Sequence, residues 1–175
     1  MSIRLRIADP EAMEALGARI AGELRAGDAL LLTGELGAGK TTFTRGLGAG
    51  LGVRGTVTSP TFVLARTHPR AGGGAPLVHV DAYRLGDAAE LDDLDIDFAG
   101  SIAVVEWGAG LLEHLVDEWL SITIVRPTGA GAAGIDGDGD AGADPDEAPV
   151  EPREVIVEGV GERWADLGWL HAAGD

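Results

Sequence analysis

The chain of 175 residues contains no cysteine, no asparagine, no glutamine and a single lysine. Without cysteine there is neither a disulfide framework nor a thiolate metal site, in keeping with a reducing cytoplasm. Without asparagine the N-K-x-D element that reads guanine in GTPases is missing. Without glutamine no Gln can position water as in Ras-type GTPases. No apolar run is long enough to cross a bilayer and no basic-then-apolar signal opens the chain, so no membrane partner and a cytoplasmic location are expected. Positive charge is scarce: 13 Lys and Arg face 29 Asp and Glu, for a net charge of −16. That balance argues against a large basic footprint for direct, tight nucleic-acid binding. For this length one α/β domain spanning 1–175 is the default, with enough chain to bury a core.

What is present centres on Leu30-Leu31-Leu32-Thr33-Gly34-Glu35-Leu36-Gly37-Ala38-Gly39-Lys40-Thr41-Thr42. An apolar run enters a G-x-x-x-x-G-K-T loop and a helix-like segment leaves it, the setting in which this motif cradles nucleotide phosphates. Gly34, Gly37 and Gly39 let the backbone curl so that successive N–H groups converge on phosphate oxygens. The helix starting near Lys40 adds unpaired N–H groups and a positive dipole end. Lys40 would meet the β- and γ-phosphates, and the Thr41 hydroxyl would ligate Mg²⁺. Lys40 stands beside twelve arginines, so a chain that elsewhere uses Arg keeps the compact ammonium here.

The acidity is concentrated. From Thr128 to Pro152 the chain is rich in Gly, Ala and Pro, carries seven acids and no positive charge, and has almost nothing to bury. It reads as a disordered acidic insertion joining two ordered elements. Asp136, Asp138, Asp140 and Glu147 mimic positions 1, 3, 5 and 12 of a calcium loop. Ala141 occupies the position that requires Gly, however, and the flanks cannot form the two supporting helices.

Along the chain, Ile3–Ile7 alternates as a strand. Asp9-Pro10-Glu11 starts a helix with stripe Met13, Leu16, Ile20 and Leu24, ended by Gly27. Ala29–Leu32 is a buried strand. The helix after the loop turns Phe43 and Leu47 inward and is expected to break up around Gly48–Gly52. The hydroxyl-rich Thr56–Phe62 suits a segment reaching over a γ-phosphate, or a turn into a strand Thr61–Arg66. Thr67–Pro76 reads as a hairpin connection to Leu77–Asp81. An acidic helical stretch carries Glu90, Leu91 and Leu94, and Leu111, Leu112, Leu115 and Val116 predict another helix. Leu120–Val125 and Arg153–Glu158 are strands, and a terminal helix carries Trp164, Leu167 and Leu170.

Two apolar strands end in an acid: Leu77–Asp81 and Ile102–Glu106. In an open α/β sheet, ligands gather at strand carboxyl ends, which brings both acids beside a triphosphate. One acid would help hold Mg²⁺ and the other orient the attacking water; spacing alone leaves the division open. Arg84 reads as a structural partner for nearby acids ahead of a transition-state cation, and Trp107 as either core or nucleotide neighbour. His79, His114 and His171 show no mutual metal spacing and read as structural. With guanine disfavoured, adenine is the expected base. Transfer to water leads over transfer to a small metabolite, because Thr67–Pro76 offers only Arg70 as a lid cation. A nucleotide-binding regulatory module with incidental hydrolysis is the other class left open.

Four motifs in order, Gly34–Phe43, Ser59-Pro60-Thr61-Phe62, His79-Val80-Asp81-Ala82-Tyr83-Arg84-Leu85 and Val105-Glu106-Trp107, resemble the TsaE family, formerly YjeE. These are small bacterial ATPases of tRNA threonylcarbamoyladenosine biosynthesis. The resemblance implies a P-loop NTPase fold with a mixed, mostly parallel sheet flanked by helices. It implies ATP held by Glu35, Leu36, Gly37, Ala38, Gly39, Lys40, Thr41, Thr42 and Arg153, and Mg²⁺ held by Thr41 and Glu106. Lys40 and Asp81 would act on the γ-phosphate, and Ser59–Phe62 would be switch-like. TsaD and TsaB are the implied partners, with tRNA reached only through that complex and ATP hydrolysis resetting it between turnovers. The sequence departs from the family pattern in its acidic insertion and in Gly108, where Pro commonly follows the Glu-Trp pair.

Overall fold

Strand β2, Ala29–Gly34, lies at the middle of the molecule because its side chains are apolar on both faces. Leu30 and Leu32 point into one core cluster, Ala29 and Leu31 into another. A strand covered on both sides needs such a continuous apolar run rather than alternation. The computed structural model describes residues 1–58, 60, 64–127 and 151–171. Ser59, Thr61 and Phe62 of the expected switch segment, and residues 128–150 of the acidic insertion with its calcium-like acids, lie outside them.

Seven strands form one sheet: β1 (Ser2–Ile7), β2, β3 (Ala65–His68), β4 (Leu77–Asp81), β5 (Ile102–Glu106), β6 (Trp119–Val125) and β7 (Arg153–Val160). Their order is β1-β7-β6-β2-β5-β4-β3. The four central strands, β6, β2, β5 and β4, run parallel. The edges are antiparallel: β7 and β1 on one side, β3 on the other. The α/β fold with a mixed sheet is therefore as expected, with parallel pairing confined to the centre. For β3 and β4 the short connection Pro69–Pro76 permits a hairpin, whereas parallel neighbours require longer crossovers.

Helices α1 (Pro10–Ala21) and α2 (Lys40–Leu51) cover one face, burying Ile20, Phe43 and Leu47 against Leu30, Leu32, Ile122 and Val157. Each such fully buried side chain stabilises the fold by about 1.5–3 kcal/mol. Asp9 caps α1 by accepting from the Ala12 N–H at 2.7 Å, with Pro10 in the first turn. On the other face α3 (Ala88–Asp92), a short 3₁₀ turn at Leu112–His114 and the loops around them bury Leu31, Val78, Val80 and Val105. No helix among the described residues is long and apolar enough to cross a membrane.

Four expected boundaries move. α1 ends at Ala21, where Gly22, Glu23 and Leu24 make tight i→i−3 bonds, so Gly27 closes the following turn and not the helix. α2 continues through Gly48 and Gly50 to Leu51. Here glycine is required by packing: a Cβ on Gly46 would overlap the Glu14 carbonyl, and one on Gly50 would lie 2.8 Å from Ala18 Cα. Close contact with α1 outweighs the roughly 1 kcal/mol helix penalty of each glycine. Leu111–Val116 forms only the 3₁₀ turn Leu112–His114, in a stretch of eight residues between Gly110 and β6 that leaves little length to propagate a helix. The terminal segment is two 3₁₀ turns, Glu162–Trp164 and Gly168–Leu170. Asp166 accepts from the Gly168 N–H at 2.8 Å, a local bond that competes with helix. Trp164, Leu167 and Leu170 are buried nonetheless.

Candidate functional site

Between β2 and α2 the loop Glu35–Gly39 turns through left-handed backbone at Gly37 (φ 78°) and Gly39 (φ 115°), conformations that a side chain strains. Gly39 is the N-cap of α2 and supplies no side-chain acceptor, and no acid occupies the first turn. The first N–H groups of this twelve-residue helix are thus left for a ligand. Lys40 is buried, and its Nζ donates to the carbonyls of Gly34 at 2.5 Å and Glu35 at 3.1 Å. Burial pushes the Lys40 pKa below its ordinary value, while the nearby charges of Glu106 and Asp81 pull it back up.

Strand alternation brings the acids to this loop. Asp81 and His79 share the face of β4 that Leu77 turns toward α1 and α2. Glu106 shares the corresponding face of β5 with Ile102 and Val104. Asp81 pairs in register with Glu106 across the parallel ladder. Leu36, Gly37, Gly39, Lys40, Thr41, Thr42, Asp81 and Glu106 line one cleft of about 610 Å³, together with Leu64, Tyr83, Arg84 and Trp107. Its volume suits a mononucleotide-sized ligand.

The remaining expected residues sit differently. Glu35 serves the site through its carbonyl on Lys40. Ala38 is buried and accepts from Arg153 Nε at 3.2 Å. Arg153 therefore braces the back of the loop, with Nη1 on the Glu151 carbonyl at 2.8 Å, and does not line the cleft. Arg84, expected as a structural partner, lines the cleft and makes no ion pair or hydrogen bond among the described residues. Trp107 is not core. It is 39% exposed, adopts φ 59°, and lies under the Lys40 ammonium at 4.7 Å and edge-on to Tyr83 at 5.4 Å. A left-handed non-glycine residue costs on the order of 1–3 kcal/mol.

Sequence reasoning missed the role of His79. It is fully buried, and its Nε2 lies 2.9 Å from Oε2 of the buried Glu106. The available signal was an imidazole two residues before a strand-end acid, hence on the same face of the strand.

Comparison with known proteins follows this geometry. Residues 7–131 match the family described as Threonylcarbamoyl adenosine biosynthesis protein TsaE. The chain belongs to the TsaE family. A Streptomyces coelicolor relative named tRNA threonylcarbamoyladenosine biosynthesis protein TsaE is 54% identical over 156 residues, covering 87% of this chain and 94% of the relative. TsaE proteins of Mycobacterium leprae (49% identical, covering 64% of this chain and 75% of the relative) and Bacillus subtilis (41%, covering 71% and 78%) are also similar. Among solved structures, Bacillus subtilis YdiB superposes with a TM-score of 0.65 at 32% identity, covering 94% of this chain and 89% of that one. The α/β fold with its mixed sheet is thus one this chain shares with YdiB.

Proposed function

We propose that the chain is a Mg²⁺-dependent ATPase of tRNA N6-threonylcarbamoyladenosine formation, a single cytoplasmic domain of residues 1–175 that drives turnover of a TsaB–TsaD complex. The observation that carries this reading is the convergence of Lys40 and Thr41, at the uncapped start of α2, with Asp81 and Glu106, paired in register at the ends of β4 and β5. ATP fits better than GTP because the chain contains no asparagine to read guanine.

The donor set suits a hard cation. Thr41, Asp81 and Glu106 offer only oxygen, the ligand type of Mg²⁺. Among the described residues no group of three or more His, Cys, Asp or Glu side chains forms a metal cage. That agrees with an ion held by Thr41 and Glu106 together with water and the nucleotide, as Mg²⁺ usually is. When bound, the ion would neutralise developing phosphate charge. Lys40 exchanges its carbonyl partners for β- and γ-phosphate oxygens, and the N–H groups of Gly37–Thr42 hold the phosphate chain. Asp81 orients a water for in-line attack and receives its proton. The bond from the γ-phosphorus to the β–γ bridging oxygen breaks, leaving ADP and phosphate. Arg84, free of partners among the described residues, lines the same cleft as Lys40.

The acidic body and slow expected intrinsic turnover favour a partner-stimulated cycle, with tRNA engaged only through TsaB and TsaD. The test is reconstitution of tRNA modification with radiolabelled threonine, with and without this chain. Multiple turnovers that depend on the chain and on ATP are expected; equal multiple-turnover yield without it would refute the reading.

A further inference from the structure

We propose that His79 is a positioning residue of the metal site: it fixes Glu106 so that one carboxylate oxygen faces the cleft and the other is held in the core. The inference rests on the ATPase reading above and extends it to a residue given no part in binding or chemistry there.

His79 and Glu106 are 27 positions apart in sequence and meet only because β4 and β5 are parallel neighbours. Nε2 of His79 and Oε2 of Glu106 are 2.9 Å apart, with side-chain exposures of 0% and 5%. A carboxylate is an acceptor, so the contact requires the proton on Nε2. Nδ1, on the other side of the ring, is buried and has no hydrogen-bond partner among the described residues. Among the described residues the ring's single polar contact is therefore Glu106. A purely space-filling residue at this apolar position would be Leu or Met, since an unmet buried nitrogen costs on the order of 1–3 kcal/mol. With Oε2 engaged, the other oxygen is what Glu106 can offer to the cleft it lines. Hydrogen bonds of this kind orient ligating carboxylates, and their loss typically lowers metal affinity about 10–100-fold.

Three full-length proteins decide the matter: wild type, His79→Leu and His79→Gln, the last retaining an N–H donor of similar reach. ADP affinity is measured by calorimetry without metal and across a Mg²⁺ titration. For His79→Leu, metal-free ADP affinity stays within about twofold, while the Mg²⁺ concentration giving half the metal effect rises about tenfold or more. His79→Gln restores it to within about threefold. An unchanged Mg²⁺ midpoint in His79→Leu, or equal loss in both variants, overturns the proposal in favour of packing. A wild type that binds ADP with no Mg²⁺ effect sinks this inference and the metal-dependent reading together. A second measurement needs no variant. Long-range ¹H–¹⁵N spectra of the wild type should show the His79 proton on Nε2, and its absence there overturns the proposal even if His79→Leu fails to fold.

Discussion

Two hollows flank the sheet's parallel centre and its antiparallel edge, and they treat charge in opposite ways. The edge hollow, about 450 Å³ between β1, β6 and β7, is lined by Arg4, Arg6, Arg153 and Glu154. Two of its three arginines are held by acids: Arg4 meets Glu154 at 3.0 Å and Arg153 meets Glu151 at 3.8 Å. In the central cleft Asp81 and Glu106 stand side by side on adjacent strand ends, the α2 N–H groups lack a cap, and Lys40 rests on backbone carbonyls. At the edge, ion pairs tie two of the three arginines to acids. In the cleft, two acids on adjacent strand ends face a buried lysine and an uncapped helix start, the arrangement on which the proposed phosphate and cation site rests. The functional site is thus recognised by unfinished electrostatics more than by cavity size.

That contrast can be broken by substitution, beginning with the largest effect. Asp81→Asn should lower partner-stimulated ATP hydrolysis by on the order of 10²–10⁴-fold while ADP affinity changes little. Steady-state kinetics beside calorimetry checks this, and a loss of binding without loss of rate would make Asp81 a structural cap. Lys40→Ala should raise the ADP dissociation constant on the order of 100-fold, about 2.7 kcal/mol. Unchanged binding would remove the phosphate loop from the site altogether.

A smaller effect concerns pH. Lys40 has its pKa lowered by burial, so above that value the unfolded chain binds more protons than the folded one, and stability rises with pH up to the ordinary value of 10.5. Urea titrations of the wild type from pH 8 to 10.5 should show this rise relative to Lys40→Met; parallel curves would contradict it. The smallest change belongs to the edge. A double-mutant cycle on Arg4 and Glu154, both well exposed, should give a coupling of about 0–1 kcal/mol and no change in ADP affinity. A large effect on binding would mean that the edge hollow belongs to the site.

The phosphate loop was legible because its information is local: glycines at Gly37 and Gly39, a lysine, two threonines and a strand before them act within a dozen residues. Asp81 and Glu106 were legible as strand ends for the same reason. The length of α2 was not, because glycine propensity in Gly46–Gly50 is outweighed by contact with α1, which lies elsewhere in the chain. Nor was the placement of Arg153, whose partner Ala38 is 115 residues away. Residue type left Trp107 open between core and nucleotide neighbour and favoured an ion pair for Arg84; the turn after β5 and the loop after β4 bring both to the cleft.

By itself, then, the sequence determined the chemistry on offer: one lysine, loop hydroxyls, two strand-end acids, no thiols, and no asparagine or glutamine. It also determined the turns and helix starts, since φ preferences and caps act over a few residues. Only the tertiary structure decided which of these groups meet. Strand order and parallel register are long-range choices driven by burial of the Leu30, Val104 and Ile122 layers. They turn His79, Asp81 and Glu106 onto the face that α2 covers, and there they join Lys40 and Thr41 of the loop.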